Sequence, residues 1–211
     1  MTSAIRQEPR TGWVRTQIEL VEALRDARFG EVDHIVIAAP PAAGTLLLSD
    51  SGAIAVSIEG RSKVHVTGHA CVEVHDRAAV FASQFAEVRA HDDARVIAID
   101  FATVHAADHD YVEAHDETSL LLRGASRGYV RDRVRGAAHD QARLEGHGTA
   151  TIAGHGHAHL TAYDRTTISA APPGGSVVVY GDRVRHLDPT GHLVPLPGCL
   201  EPAPSPDGIG L

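Results

Sequence analysis

His69–Asp76 reads HACVEVHD, and the next eight residues, Arg77–Gln84, repeat its cadence as RAAVFASQ. The pattern runs on without insertion through FAEVRAHD, DARVIAID, FATVHAAD and HDYVEAHD to Asp116. It continues through ETSLLLRG, ASRGYVRD, RVRGAAHD, QARLEGHG, TATIAGHG, HAHLTAYD and RTTISAAP to Pro172. The second place of each octad is usually Ala (Ala70, Ala78, Ala86, Ala94, Ala102). The fourth is a branched aliphatic (Val72, Val80, Val88, Val96, Val104), the sixth is mostly small, and the eighth is mostly Asp or Gly. Apolar residues at every second place, closed by a turn former, describe a short strand with one buried face. A helix needs a 3.6-residue period, which this alternation lacks. Short strands, two-residue corners and no Asn-Gly hairpin signal predict an all-β parallel β-solenoid, wound right-handed.

The octad leaves the coil length open. Three octads per coil, 24 residues on three faces, stack Phe81, His105 and Tyr129 in one outward column and Asp92, Asp116, Asp140 and Asp164 at one corner. Like residues favour stacking in register, so this is the preferred arrangement. Two octads per coil, 16 residues, are the alternative and align Thr103, Ser119, Thr151 and Thr167.

Composition agrees with a thin core. Of 211 residues 43% are hydrophobic, yet only 4% are aromatic and one is Met, so the interior must be built from Ala and Val. None of the 11 Pro lies between Ala42 and Ala171, as paired interior strands require. A net charge of −8 argues against general nucleic-acid binding. The 2 Cys, Cys71 and Cys199, make neither a disulfide framework nor a zinc finger. No signal peptide or membrane span is read, so a cytoplasmic protein with no cofactor and no membrane partner is expected.

The chain divides into an N-terminal segment with a capping helix and first strands (1–51), the octad solenoid (52–188), and a proline-rich C-terminal cap and tail (189–211). Thr16-Gln-Ile-Glu19 is a capping box that opens an amphipathic helix over Gln17–Arg28. His34–Ala38, Thr45–Leu48 and Ile54–Ile58 read as the first strands, and Val177–Tyr180 with Val184–Leu187 as the last coil. The stretch WVRTQIELVEALRD (13–26) followed by VDHIVIAAP (32–40) resembles the opening of pectate-lyase-like right-handed β-helix proteins. That resemblance implies the fold alone. The closing PDGIGL (206–211) resembles the short Gly/Leu-rich tails that load cargo into encapsulin shells, although a flexible terminus is the simpler reading.

Candidate sites lie on the outward positions. From Phe85 to Glu117 there are nine acidic residues against two Arg; from Arg123 to Arg143 there are six Arg against Asp132 and Asp140. Arg127, Arg131, Arg133 and Arg135 form a candidate contact surface for an anion or acidic partner, the last three expected on one side of a strand. In the same segment Gly128 and Gly136 replace the central aliphatic while Leu120, Leu122, Val130 and Val134 gain bulk, which predicts local repacking at conserved volume. Phe81, Phe85, Phe101 and Tyr129, with Ile97, Tyr111 and Leu121, fall on outward positions and predict a patch that something covers: the segment Met1–Trp13, a second protomer or a partner, with self-association favoured. His155, His157 and His159 alternate and are expected to point outward together on one strand, a candidate strip for Zn²⁺, Ni²⁺ or Cu²⁺. The corner Asp residues are assigned to turn chemistry.

Three functions compete. The leading one is a non-catalytic scaffold or interaction module, homo-oligomeric, with a protein partner. A carbohydrate-binding or carbohydrate-degrading β-helix is the first alternative, although no octad carries the loop insertion a cleft requires. An acidic DNA-mimicking solenoid is the second. Ice binding needs a regular Thr ladder that Thr103, Thr151 and Thr167 do not fill.

Overall fold

A computed structural model describes residues 10–188 and 192–194 of the chain. The protein is a parallel β-solenoid of about 9 coils, with about 16 residues per coil. The 24-residue coil is therefore corrected to the 16-residue alternative. Successive strands alternate between two sheets, an eleven-stranded sheet 1 and a nine-stranded sheet 2. Through the octads strands pair in parallel sixteen residues apart, as Glu87–Ala90 does with Thr103–Ala106 and that strand with Ser119–Leu122; at the two ends the offset widens, as from Thr45 to Lys63 and from His159 to Ser176.

The corner decides between the two coil lengths. In His75–Ala78 the amide of Ala78 donates to the carbonyl of His75 at 3.3 Å, while Asp76 is left-handed at φ 59°. A four-residue turn closed this way reverses the chain, so two corners complete a coil; three faces need blunter bends. Positive φ recurs at every eighth residue from Gly52 to Asp164, supplied by Gly, Asp and once by Gln84. Asp tolerates this conformation better than other side chains do. Here it also reaches back one coil: Asp92 Oδ2 accepts the Asp76 amide at 3.1 Å and Asp108 Oδ2 the Asp92 amide at 3.3 Å. At the opposite corner Asp100 accepts from Gln84 at 3.1 Å and Asp116 from Asp100 at 3.3 Å. The four Asp expected in one column thus divide, Asp92 and Asp140 at one corner, Asp116 and Asp164 at the other.

Between the sheets lies the Ala–Val core. Val72, Val88 and Val104 are in register on sheet 1 and Val64, Val80 and Val96 on sheet 2, all buried. The repacking expected at the glycines is present. A Cβ on Gly128 would sit 2.7 Å from Leu122 Cδ1 and 3.1 Å from both Leu120 Cδ2 and Leu144 Cδ1, and one on Gly136 would sit 2.9 Å from Leu144 Cδ2.

The helix spans Gln17–Arg28 as predicted and buries Leu20, Ala23 and Ala27 against the first coil. Thr16 caps it, accepting the Glu19 amide at 3.3 Å, and the Glu19 carboxylate returns to the Arg15 amide at 2.6 Å. Gln17 does more than begin the helix. Its side-chain oxygen accepts the Leu47 amide at 2.7 Å, and its nitrogen donates to the Leu47 carbonyl at 3.1 Å. The side-chain amide takes the place of a further strand on the terminal edge of sheet 2, where an open edge invites pairing. An unforeseen strand, Thr11–Val14, pairs with His34–Ile37, so Trp13 belongs to the N-terminal edge, several coils from Phe85 and Phe101. At the other end Ser176–Tyr180 closes sheet 2 and Arg185–His186 sheet 1, with an antiparallel bridge from Leu187 to Leu193. Most of the C-terminal cap and tail (189–211), with Cys199 and PDGIGL, lies outside the described residues, as does 1–9 of the proposed covering segment.

Candidate functional site

The 16-residue coil assembles a column that no 24-residue coil would. The third residue of each octad on sheet 2 points outward, and strand register lines up Lys63, Ala79, Arg95, Tyr111, Arg127, Arg143 and His159 one coil apart. Beside it, where the corner enters the strand, stand Arg61, Arg77, Asp93 and His109. Coils are ~4.8 Å apart and the two columns ~7 Å, so from Lys63 to His159 the lane runs ~29 Å. Its first part is a shallow groove of about 920 Å³ lined by Arg61, Lys63, Arg77, Arg95, Tyr111 and Arg127. Tyr111 and Arg127 also line the next concavity, with Arg143 and His159.

The cations of the lane are largely left to the solvent. Arg77 pairs with Asp93 at 3.9 Å, whereas Arg61, Lys63, Arg95, Arg127 and Arg143 make no ion pair with any described residue. Arg127 and Arg143 are direct register partners, and like charges opposite one another in a sheet are destabilising. The carboxylates nearest to them turn away. Glu113 binds His115 at 3.1 Å, and Glu145 binds His147 at 2.8 Å although Arg143 lies two residues before it on the same strand. Tyr111 stands between Arg95 and Arg127, 45% exposed. Among the Phe and Tyr rings described on this face it alone makes no ring contact: Phe81 meets His65 at 4.8 Å, and Tyr129, His147, Tyr163 and Tyr180 form one ladder with centroids 4.4–4.7 Å apart.

Behind the lane lies Asp110, fully buried where the octads one coil before and after carry Ala94 and Ser126. Its carboxylate accepts the Ala94 amide at 2.9 Å and the Ala107 amide at 3.0 Å. The corresponding amides of Ala78, Ala86 and Ala102 bond the carbonyl three residues back. Burial pushes the Asp110 carboxyl up to about 6, against the pull of those two amides and of His91.

The residues singled out from sequence are dispersed. Arg127 lies in the lane, but Arg131, Arg133 and Arg135 do not share a strand. Left-handed Asp132 separates Arg131 from Arg133 at a corner, Arg133 pairs with Glu117, and Arg135 stands on sheet 1. Phe81 and Tyr129 are on sheet 2, while His105, expected between them, is on sheet 1. Phe85 and Phe101 form a corner stack, 5.4 Å apart and nearly parallel, with His69 stacked 5.1 Å from Phe85. Rings stacked along the solenoid axis use their faces on one another. The histidine strip is likewise broken by the corner at Gly156. His155 stacks on His139 at 4.5 Å, His157 bonds the Gly174 carbonyl at 2.9 Å, and His159 bonds Ser176 Oγ at 2.7 Å on sheet 2. Among the described residues no group of three or more His, Cys, Asp or Glu is placed to hold a metal ion. Cys71 is exposed on sheet 1 with its thiol pushed up, first by partial burial and then by Glu87.

Lys63, Arg95, Tyr111 and Arg143 were not linked in the sequence because the preferred 24-residue frame scatters them. Reading every sixteenth residue shows the column directly. Comparison with protein-family models, with curated proteins and with solved structures finds no match to this chain. The resemblance to pectate-lyase-like proteins is met at the level of a parallel β-solenoid and by no family model. No helix among the described residues is long and apolar enough to cross a membrane.

Proposed function

We propose that this protein is a non-catalytic interaction scaffold, a rigid solenoid that presents the outer face of sheet 2 to a partner. The observation that supports it most is the uninterrupted winding: left-handed corners recur every eighth residue from Gly52 to Asp164, with no inserted loop to wall a cleft. What remains for function is surface, and the lane on sheet 2 holds cations that folding does not use. The test compares capture of partners from the native host by three forms of the protein. Arg95→Ser/Arg127→Ser/Arg143→Ser should lose what the wild type captures, while Arg89→Ser on sheet 1 should retain it. Equal loss in both variants, equal retention in both, or turnover of a polysaccharide by the purified protein would overturn the reading.

Self-association is a second part of this proposal, favoured by the ends of the molecule. Gln17 and the helix close the N-terminal end, but Ser176–Tyr180 has no described strand on its outer edge. Val178 and Tyr180 are 42% and 53% exposed. An uncharged, β-branched edge pairs readily with another strand. With one end closed, the assembly is a two-fold dimer through the C-terminal coils rather than a filament.

A further inference from the structure

The lane on sheet 2 has features beyond a generic contact surface, and these select a ligand. Resting on the scaffold reading above, we infer that it binds a single strand of nucleic acid, phosphates along the Lys63–Arg143 column and a base on Tyr111.

The charge argument is local. The chain's net charge of −8 points away from nucleic acid only if charge is averaged over the surface. Here Asp76, Asp92, Asp100 and Asp116 sit at corners, their carboxylates bonded to backbone amides. Arg61, Lys63, Arg95, Arg127 and Arg143 gather on one face without a described ion pair. Guanidinium groups suit phosphate oxygens, which they bind through paired N–H donors. The in-register pair Arg127–Arg143 costs the fold something, and a phosphate between the two groups would remove that cost.

The width argument separates one strand from two. Two columns ~7 Å apart track a single backbone. The outer flanks of the lane, Asp92 and Asp108 on one side and Glu113 and Glu145 on the other, would repel a second. The ring argument separates nucleic acid from other linear anions. Single-strand binders combine a cationic track with aromatic faces on which bases stack. Every other Phe or Tyr ring described on this face has a neighbouring ring in contact. Tyr111 keeps both, with Arg95 one coil before it and Arg127 one coil after. A ~29 Å lane accommodates roughly five nucleotides, near the short end of single-strand site sizes.

The test is fluorescence anisotropy of labelled oligo(dT), roughly a dozen nucleotides long, with the full chain over a salt series. Engagement of about four phosphates gives a slope of log affinity against log salt near −3, at about −0.7 per phosphate. Arg127→Ser/Arg143→Ser should make that slope shallower by about 1.4. Tyr111→Ala should weaken binding on the order of tenfold without altering the slope, and Tyr111→Phe should restore it. All of these positions are exposed, and unchanged circular dichroism and thermal midpoint verify folding. Duplex DNA of the same length, inorganic polyphosphate and a polyuronate serve as competitors. Tighter binding of any of them, no binding at low salt, or indifference to Tyr111→Ala overturns the inference. If oligo(dT) fails while lane-dependent capture of a host partner persists, this ligand is wrong and the scaffold reading stands; loss of both removes the lane as a binding face.

Discussion

Asp110 shows how one residue departs from the octad rule and what that costs. The second place of an octad is enclosed, so Ala fits without further demands, and a hydroxyl fits if it donates. Ser126, one coil on in the same column, donates to the Arg123 carbonyl at 2.7 Å. A carboxylate has no proton to give when ionised, so Asp110 accepts two amides, one taken from the corner of the preceding coil. Burial raises its folded-state value from 3.8 to about 6. Between these values the folded protein binds more protons than the unfolded chain, so stability falls as pH rises through the window and stays low above it. That difference corresponds to a penalty on the order of 3 kcal/mol at neutral pH. Asp110→Ser transplants the Ser126 arrangement. Urea denaturation from pH 4 to 8 should show wild type losing stability relative to the variant up to pH ~6.5, then a constant gap. A gap independent of pH would show that the carboxyl does not titrate there. His139 works in the opposite sense: burial, then His155 and Arg123, lower its value despite Asp140. Its protonation therefore weakens the fold as pH falls below the ordinary histidine range.

At the scale of strands, volume is conserved both across the core within a coil and between register neighbours one coil apart. Gly128 and Gly136 leave room on two strands, and Leu120, Leu122 and Leu144 fill it from register neighbours and from across the core. Gly128→Val would place its Cβ against Leu122 Cδ1 and should cost about 1–3 kcal/mol by overpacking. Leu122→Ala should cost about 2–5 kcal/mol by leaving a void. The double variant should be less destabilised than the sum, by 1 kcal/mol or more, because each change supplies the space or the atoms the other lacks. Additive losses in chemical denaturation would mean that the two sites relax independently. This complementarity was legible in the sequence as bulky residues appearing where the central aliphatic vanished. The clamp of Gln17 on Leu47 was not, because a polar residue at the start of a helix gives no sign of an edge thirty residues away.

For the whole molecule the proposed dimer rests on the asymmetry of the two ends. Light scattering on the full chain should give twice the 22.3 kDa of one chain, without higher species. Val178→Lys should return the mass to that of a monomer, because a charge on an edge strand blocks pairing. A monomeric wild type, or a dimer indifferent to Val178→Lys, would remove the C-terminal edge as the contact. The winding also sorts the charge map. The acidic and basic halves read along the chain become columns in space, so neighbours in sequence such as Arg131, Arg133 and Arg135 part company around a corner. Residues sixteen apart, such as Tyr111 and Arg127, become adjacent.

The octad strand, its inward Ala–Val–Ala face, the Asp and Gly corners, the opening helix and the exchange of volume around Gly128 are all readable from the order of residues. All of these depend on contacts within eight residues or on a sum of side-chain volumes, and local order carries both. The number of octads that close a coil is fixed in the folded chain alone. Even positions face inward at either 16 or 24 residues, and the difference lies in whether a corner reverses the chain or merely bends it. That one angle decides which outward residues share a column, and so it decides that Lys63, Arg95, Tyr111, Arg127 and Arg143 form a lane while the three histidines of 155–159 do not form a site.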